Sequence, residues 1–334
     1  MNPVNTKEYK LPFDATWLIT GCSSGIGRAL ATLIASKPNQ RLIATARIPS
    51  SLSYLPDTPN ILKLALDVTS PSSVNAAFAA AAEHFGTDFH LDVVVNNAGY
   101  SLSGDTEAAT EEEMHLEMET LFFGTVRVTT RAVENMRQAH DHRGGLIFNI
   151  SSLAGFLGLP GHAFYHASKF AVEGFSESVA REMHPDWNSK STFPFHNTSS
   201  DLWTHVQYYK ECIVVTNSSS SPVNFCIVEP AGVKTEFEGH SKARTVPHPA
   251  YAAPDMPARI LESYVSKGIK AGAASLMEPS AVAEAIFAIA SRGERIPLRL
   301  PLGAVAWKMA KASLEERLGD LDKIKDVSAM GKEI

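Results

Sequence analysis

Thr20-Gly21-Cys22-Ser23-Ser24-Gly25-Ile26-Gly27 is the stretch that decides the fold. Upstream of it, residues 16–20 (Thr-Trp-Leu-Ile-Thr) form an apolar, β-rich run; downstream, residues 27–36 read as a helix stopped by Pro38-Asn39. A turn from strand into helix aims backbone N–H groups at the space before the helix, where its dipole favours an anion. Gly21 permits the tight turn, and the remaining glycines let backbone approach a pyrophosphate; Ser23 and Ser24 offer hydroxyl donors. Many strand–helix turns need glycine for sterics alone. The flanking strand and helix are therefore what turn this motif into a dinucleotide signal.

Outward from that turn, strand and helix alternate. Strands are expected at residues 41–46, 61–66, 91–95, 145–151 and 225–229, the last closed by Pro230. Ser70-Pro71 opens a helix with a capping serine and a proline at its first position, and that helix stops at Gly86. Thr110-Glu111-Glu112-Glu113 is a capping box leading into a long helix, and residues 165–183 form another. The alternation predicts an α/β protein built on a doubly wound parallel sheet, one domain over residues 15–291. Two stretches fall outside it. Of the 35 residues in 189–223, 14 are Ser, Thr or Asn, and no period runs through them. We expect an exposed or partly disordered insertion there, apart from the active site, resembling either a lineage-specific loop or an unspliced segment. Residues 292–334 form a C-terminal extension, with an apolar patch and then a charged helix near 313–325.

The chain has 334 residues, 44% of them hydrophobic and 20% charged, and a net charge of −6. This composition suits a globular protein and excludes a collagen-like or fully disordered one. The acidic balance argues against nucleic acid as a partner. No run of about 18 apolar residues is present, so no membrane span is expected. Residues 1–13 lack the apolar core of a secretory signal. Cys22, Cys212 and Cys226 have unrelated spacings, which suggests neither disulfides nor a metal site. A cytoplasmic protein with reduced thiols is the expectation. The length is puzzling, since it is long for one such domain and short for two.

Further residues refine the ligand. After the second strand come Ala46 and Arg47, where an NAD-selective protein usually carries a carboxylate for the ribose 2′-hydroxyl. Arg47 suits a 2′-phosphate, hence NADP(H), although an ordinary surface arginine would look the same. Asp67 follows the third strand and is placed either to accept from the adenine amine or to start the next helix. Asn96-Asn97-Ala98-Gly99 ends the fourth strand at the carboxyl edge of the sheet, where backbone can pass close to the adenosine ribose.

Ser152, Tyr165 and Lys169 carry the chemistry. Tyr165 and Lys169 are four residues apart and share one helix face. An ammonium beside a phenol favours the phenolate, suiting Tyr165 to exchange a proton with an alcohol or carbonyl oxygen near neutral pH. Ser152, thirteen residues upstream at a strand end, is placed to hydrogen-bond the same oxygen.

With these residues in view, the sequence resembles the short-chain dehydrogenase/reductase family in its single-domain branch. Within it, the chain is most similar to 17β-hydroxysteroid-dehydrogenase-like oxidoreductases, many of them fungal. The resemblance rests on residues 20–27, Asp67-Val68, residues 96–99, Ser151-Ser152, Tyr165-His-Ala-Ser-Lys169 and Pro230-Ala-Gly-Val-Lys-Thr235. It implies a Rossmann fold, hydride transfer at a nicotinamide, and conversion between an alcohol and a carbonyl on a small lipophilic substrate. It also implies Tyr165 as acid/base, Lys169 as ribose binder, Ser152 as substrate-oxygen donor, Val233 and Thr235 beside the nicotinamide, and Ile26 over the cofactor. A role in secondary metabolism and pairing into a homodimer or homotetramer through the two long helices are expected by the same likeness.

Three departures stand out. Leu121 replaces an asparagine that supports a proton relay in relatives, Ala231 replaces a glycine, and Ser101 replaces another. They feed a second reading, a catalytically weakened cofactor-binding or regulatory protein of the same fold; a sugar-nucleotide epimerase is a distant third. Lesser candidates are His162 and His166 for substrate contact, and Phe156, Leu157, Leu159 and Phe164 as an apolar wall or as core. The proline-rich residues 237–277 are positioned as a substrate lid.

Overall fold

The computed structural model describes residues 4–86, 89–138, 144–183, 222–236, 239, 241–270 and 276–330. Seven parallel strands form the main sheet: β1 (Thr16–Ile19), β2 (Arg41–Ala46), β3 (Ile61–Ala65), β4 (Val93–Asn96), β6 (Gly145–Ile150), β7 (Val223–Pro230) and β9 (Arg299–Leu302). Their spatial order is β3-β2-β1-β4-β6-β7-β9. The order reverses between β1 and β4, so the crevice at their carboxyl ends is the place where such sheets bind ligands. The expected doubly wound Rossmann sheet is what the chain forms.

Side chains alternate between two apolar layers, as they must on strands buried on both faces. Trp17, Ile19, Val93, Val95 and Phe148 face one layer. It is covered by α1 (Gly25–Ala35) and by α7 (Pro279–Ser291), which pack on each other. Leu18, Val94, Ile147 and Phe225 face the other. That layer lies under α2 (Pro71–Phe85), α4 (Gly124–Gln138) and α5 (Ala163–Glu182). Trp17, fully buried, stacks on Phe287 of α7 at 6.0 Å and donates its indole N–H to Gln40 at 2.8 Å. Its one polar atom is thus satisfied.

Several boundaries differ from the sequence reading. Helix α1 starts at Gly25, not residue 27, so the last two glycines of the motif lie inside its first turn. The long helix after Thr110 is two helices, α3 (Glu111–Met118) and α4, joined by a π-helical turn, Glu119–Phe123, that contains Leu121. A separate two-stranded parallel pair joins β5 (Ser101–Ser103) to β8 (Lys242–Arg244). Val223, counted with the insertion, is the first residue of β7 and pairs with Gly145; residues 189–221 of that insertion lie outside the described residues. The boundary at 292 falls inside the sheet, because β9 is its seventh strand, in register with β7 from Ile227↔Arg299 to Pro230↔Leu302. Beyond β9, α8 (Ala304–Lys323) takes in both the apolar patch and the charged segment of the tail. Among the described residues no helix is long and apolar enough to cross a membrane.

Candidate functional site

The glycine turn is packed to contact. A Cβ on Gly21, whose φ is +71°, would meet the Ala98 backbone at 2.8 Å. One on Gly27 would lie 2.9 Å from the Gly21 carbonyl carbon, and nearer still to Gly21 O and the Asn97 amide. Gly25 has φ +56° and sits under Thr235, whose methyl would be 3.2 Å from an added Cβ. Ser24 caps α1 by position only, with its hydroxyl making no capping bond, and no acidic residue stands in the first turn. The helix thus supplies no cap hydroxyl and no carboxylate of its own to the N–H groups at its head, which fits an anionic ligand there. Ser23 is exposed beside them and Ile26 half-buried against the core. Cys22 points inward to Ile19 O, and burial pushes its thiol up to about 12, leaving it inert.

Asn97 ties this turn to β4. Its amide donates to Thr20 O at 2.9 Å and Gly21 O at 3.1 Å, while Thr20 Oγ1 accepts from the Asn97 and Ala98 N–H groups. The sequence reading chose Asn96, whose side chain turns the other way. It donates to Thr129 Oγ1 at 2.9 Å and Asn149 Oδ1 at 2.8 Å, beneath α4 and α5, so only its backbone faces the carboxyl edge. Period-two alternation from Val94 was the signal for this. Asp67 Oδ1 accepts from the N–H and hydroxyl of Thr69, and Ser73 Oγ accepts from the Asp67 N–H. This is the local helix-starting role, with Oδ1 committed to it. Arg47 is exposed at the end of β2, and among the described residues it has no hydrogen-bond or ion-pair partner. Val233 packs on the core and bridges to Met277, which carries the 230–235 segment over α1.

Ser152 follows the end of β6, and the turn it heads packs on α5, which carries Tyr165 and Lys169. Ser152 heads a short 3-10 turn, Leu153–Gly155, its Oγ accepting from the Ala154 N–H at 3.1 Å. Tyr165 packs with Ala154 and Leu121. The buried Lys169 ammonium donates to Ile150 O at 2.8 Å and lies 5.6 Å from the Tyr165 ring centroid. Burial lowers its pKa to about 8, against the opposing pull of Glu117 and Glu173. It is thus largely cationic at neutral pH.

His166 was a candidate for substrate contact, but both its nitrogens are engaged within the protein. Nε2 accepts from the Leu159 N–H at 3.2 Å and Nδ1 faces Ala154 O at 2.9 Å. The ring holds the 154–159 loop onto α5, and burial lowers its pKa, which keeps it neutral. Phe156 is buried, and the tail fastens it. Arg317 and Ser313 of α8 donate to Phe156 O, and the Arg299 guanidinium lies 5.1 Å from its ring. Arg299 in turn pairs with Glu173, with Glu229 at 3.0 Å and with Glu177 at 3.4 Å; Glu173 accepts from Ser151 Oγ at 2.7 Å. Sequence reasoning missed this partly buried network, since bonded partners in it lie up to 126 residues apart. The segment expected as a lid is tied to the end of β5: Asp105, just after that strand, accepts from Arg259 of α6 (Pro257–Lys270) and from the His248 N–H.

The profile described as short chain dehydrogenase matches residues 15–187. The chain is 61% identical over 331 residues to oxidoreductase calM of Penicillium decumbens, covering 99% of this chain and 97% of that one. It is 34% identical to an uncharacterized oxidoreductase of Schizosaccharomyces pombe, with 86% and 82% covered. Among solved structures, a short-chain dehydrogenase from Streptomyces avermitilis superposes with a TM-score of 0.70 at 28% identity, over 94% of this chain and 97% of that one. Motif, sheet order and relatives agree: the chain belongs to the short-chain dehydrogenase family.

Proposed function

We propose that the protein is an NADP(H)-dependent oxidoreductase that interconverts an alcohol and a carbonyl on a small lipophilic substrate. The observation that carries this reading is the buried Lys169 ammonium, anchored on Ile150 O beside the Tyr165 ring. Its charge favours the phenolate, so Tyr165 gives a proton to a carbonyl oxygen in reduction and takes one from an alcohol in oxidation. Ser152 holds that oxygen. A bound nicotinamide cofactor supplies or accepts the hydride. Gly21, Ser23, Ser24, Gly25, Ile26 and Gly27 would hold its pyrophosphate, with Asp67 and the Asn96 backbone toward the adenosine, Lys169 at the ribose, and Val233 and Thr235 at the nicotinamide end. Arg47, exposed and unpaired among the described residues, supports a 2′-phosphate and hence NADP(H). The exposed rings of Phe123, at the end of the π turn leading into α4, and Phe170, on α5, support a homodimer or homotetramer. Cytoplasmic residence and a place in secondary metabolism complete the proposal.

The test is a carbonyl and alcohol screen that follows NADPH absorbance, with Tyr165→Phe alongside. Turnover lowered at least about 100-fold in the variant, with NADPH binding retained, is the expected result. Leu121, buried against Tyr165, favours the second reading of a cofactor-binding protein with weakened chemistry. NADPH binding with no substrate turned over, and no effect of Tyr165→Phe, would select it.

A further inference from the structure

Glu117 has no part in the chemistry above, yet it is fully buried. It sits on α3, which packs against both β5 and α5. One oxygen, Oε2, accepts from the Leu102 N–H at 2.6 Å, while Oε1 is buried with no hydrogen-bond partner. A carboxylate half-satisfied in this way is costly unless a positive charge compensates it. Among the described residues, the titratable groups that interact with it include Lys169 of α5 and Tyr100 from the segment before β5; Tyr165 and Glu173 share α5 with Lys169, and Glu113 shares the helix of Glu117. Lys169 is the cation among them, and Glu117 is the carboxylate acting most strongly on it. Tyr100 is pushed up by burial and by the negative charges of Glu117 and Glu113, so it remains a neutral phenol. Lys169 itself spends one donor on Ile150 O. On the next turn of the Glu117 helix, the side chain meeting Tyr165 is the apolar Leu121, which offers no charge.

We propose that Glu117 is a positioning residue, the internal counter-ion that keeps Lys169 an ammonium beside Tyr165. Each buried charge offsets part of the other's desolvation, which leaves Lys169 cationic through neutral pH. The carboxyl, lifted by burial to about 7, and the ammonium, lowered to about 8, titrate as a coupled pair just above neutrality. The inference deepens the proposed oxidoreductase reading and rests on it for its catalytic consequence, but the pairing can be measured without turnover.

The experiment is NMR of the cofactor-free full chain labelled with [ε-13C]lysine, the Lys169 signal assigned by Lys169→Met. Glu117→Gln keeps the acceptor for the Leu102 N–H and removes only the charge. It should lower the Lys169 midpoint by about one pH unit, while Glu117→Asp, which retains the charge, leaves it close to wild type. Reciprocity gives a second measurement that needs no Glu117 variant: in Lys169→Met, the 13C midpoint of the Glu117 carboxyl should rise by a similar amount. An unmoved Lys169 midpoint in folded Glu117→Gln, an equal shift in Glu117→Asp, or an unmoved Glu117 midpoint in Lys169→Met would each overturn the pairing. With an active substrate in hand, the alkaline limb of kcat/KM should fall by the same unit in Glu117→Gln. If no carbonyl is reduced but the NMR shifts appear, the counter-ion stands and the oxidoreductase reading is what fails.

Discussion

Replacing Gly27 by alanine tests whether the turn between β1 and α1 is as tightly closed as its geometry says. The new Cβ would stand 2.9 Å from the Gly21 carbonyl carbon and closer to Gly21 O and Asn97 Nδ2, distances that real Cβ atoms do not occupy. Backbone on both sides leaves only two escapes. Either α1 shifts by roughly half an ångström away from the sheet, a strain of about 1–3 kcal/mol. Or Asn97 swings out and forfeits its bonds to Thr20 O and Gly21 O at 2.9 and 3.1 Å, about 0.5–1.5 kcal/mol each. Either way the cost is about 1–3 kcal/mol, which for a domain of this size lowers the melting temperature by roughly 2–10 °C. Differential scanning calorimetry reads the stability, and fluorescence titration with NADPH reads the site, where binding should weaken at least about tenfold because the head of α1 has moved. Gly174→Ala is the control. It lies exposed within α5 with nothing within 4 Å of its Cβ position, so the substitution should be neutral or stabilise by up to about 1 kcal/mol. Wild-type melting temperature and NADPH affinity in Gly27→Ala would refute the reasoning.

Three further outcomes are expected. Arg299→Met strips the shared cation from Glu173, Glu177 and Glu229 and should cost about 3–5 kcal/mol, and an unchanged denaturant midpoint would count against that network. Burial raises Glu229 to about 8, so the folded state holds a proton that the unfolded chain has released above the ordinary carboxylate range. Stability should therefore fall as pH rises from about 5 to 8, and Glu229→Gln should flatten that slope by a few °C in a melting series; equal slopes would contradict it. Arg47→Asp should move the ratio of NADPH to NADH affinity toward NADH by about tenfold or more, and an unaltered ratio would remove Arg47 as the phosphate reader.

What the sequence made legible was whatever repeats or recurs locally. Apolar runs bounded by glycine and proline located six of the seven sheet strands, and the glycine turn located the crevice. β9 escaped because Arg299-Leu-Pro-Leu302 is four residues long and contains a proline, which is tolerated there because β9 is an edge strand. β5 and β8, three residues each, are too short to show a period. The π turn at Glu119–Phe123 has no compositional mark, since one extra residue per turn changes hydrogen bonding and not residue type. At the site, the spacing of Tyr165 and Lys169 could be read directly, but the partners of Lys169 could not. Glu173, four residues along the same helix, could be read from spacing, but Ile150 and Glu117 come from two other elements that only the packed chain brings to Lys169. Strand alternation already pointed the Asn96 side chain toward the helices, so only its backbone is left for the role the motif gave it.

The seventh strand also bears on the order in which the chain can assemble. Until residues 299–302 arrive, β7 presents an unpaired edge, and Glu173 and Glu229 have no cation to accompany them into the interior. The sheet and the loop that carries Phe156 are therefore completed by residues 299–317, which are made well after the strands they join. A nascent chain can pair β1 to β4 early, but it must wait for residues 299–317 to close the side that holds the loop of Phe156.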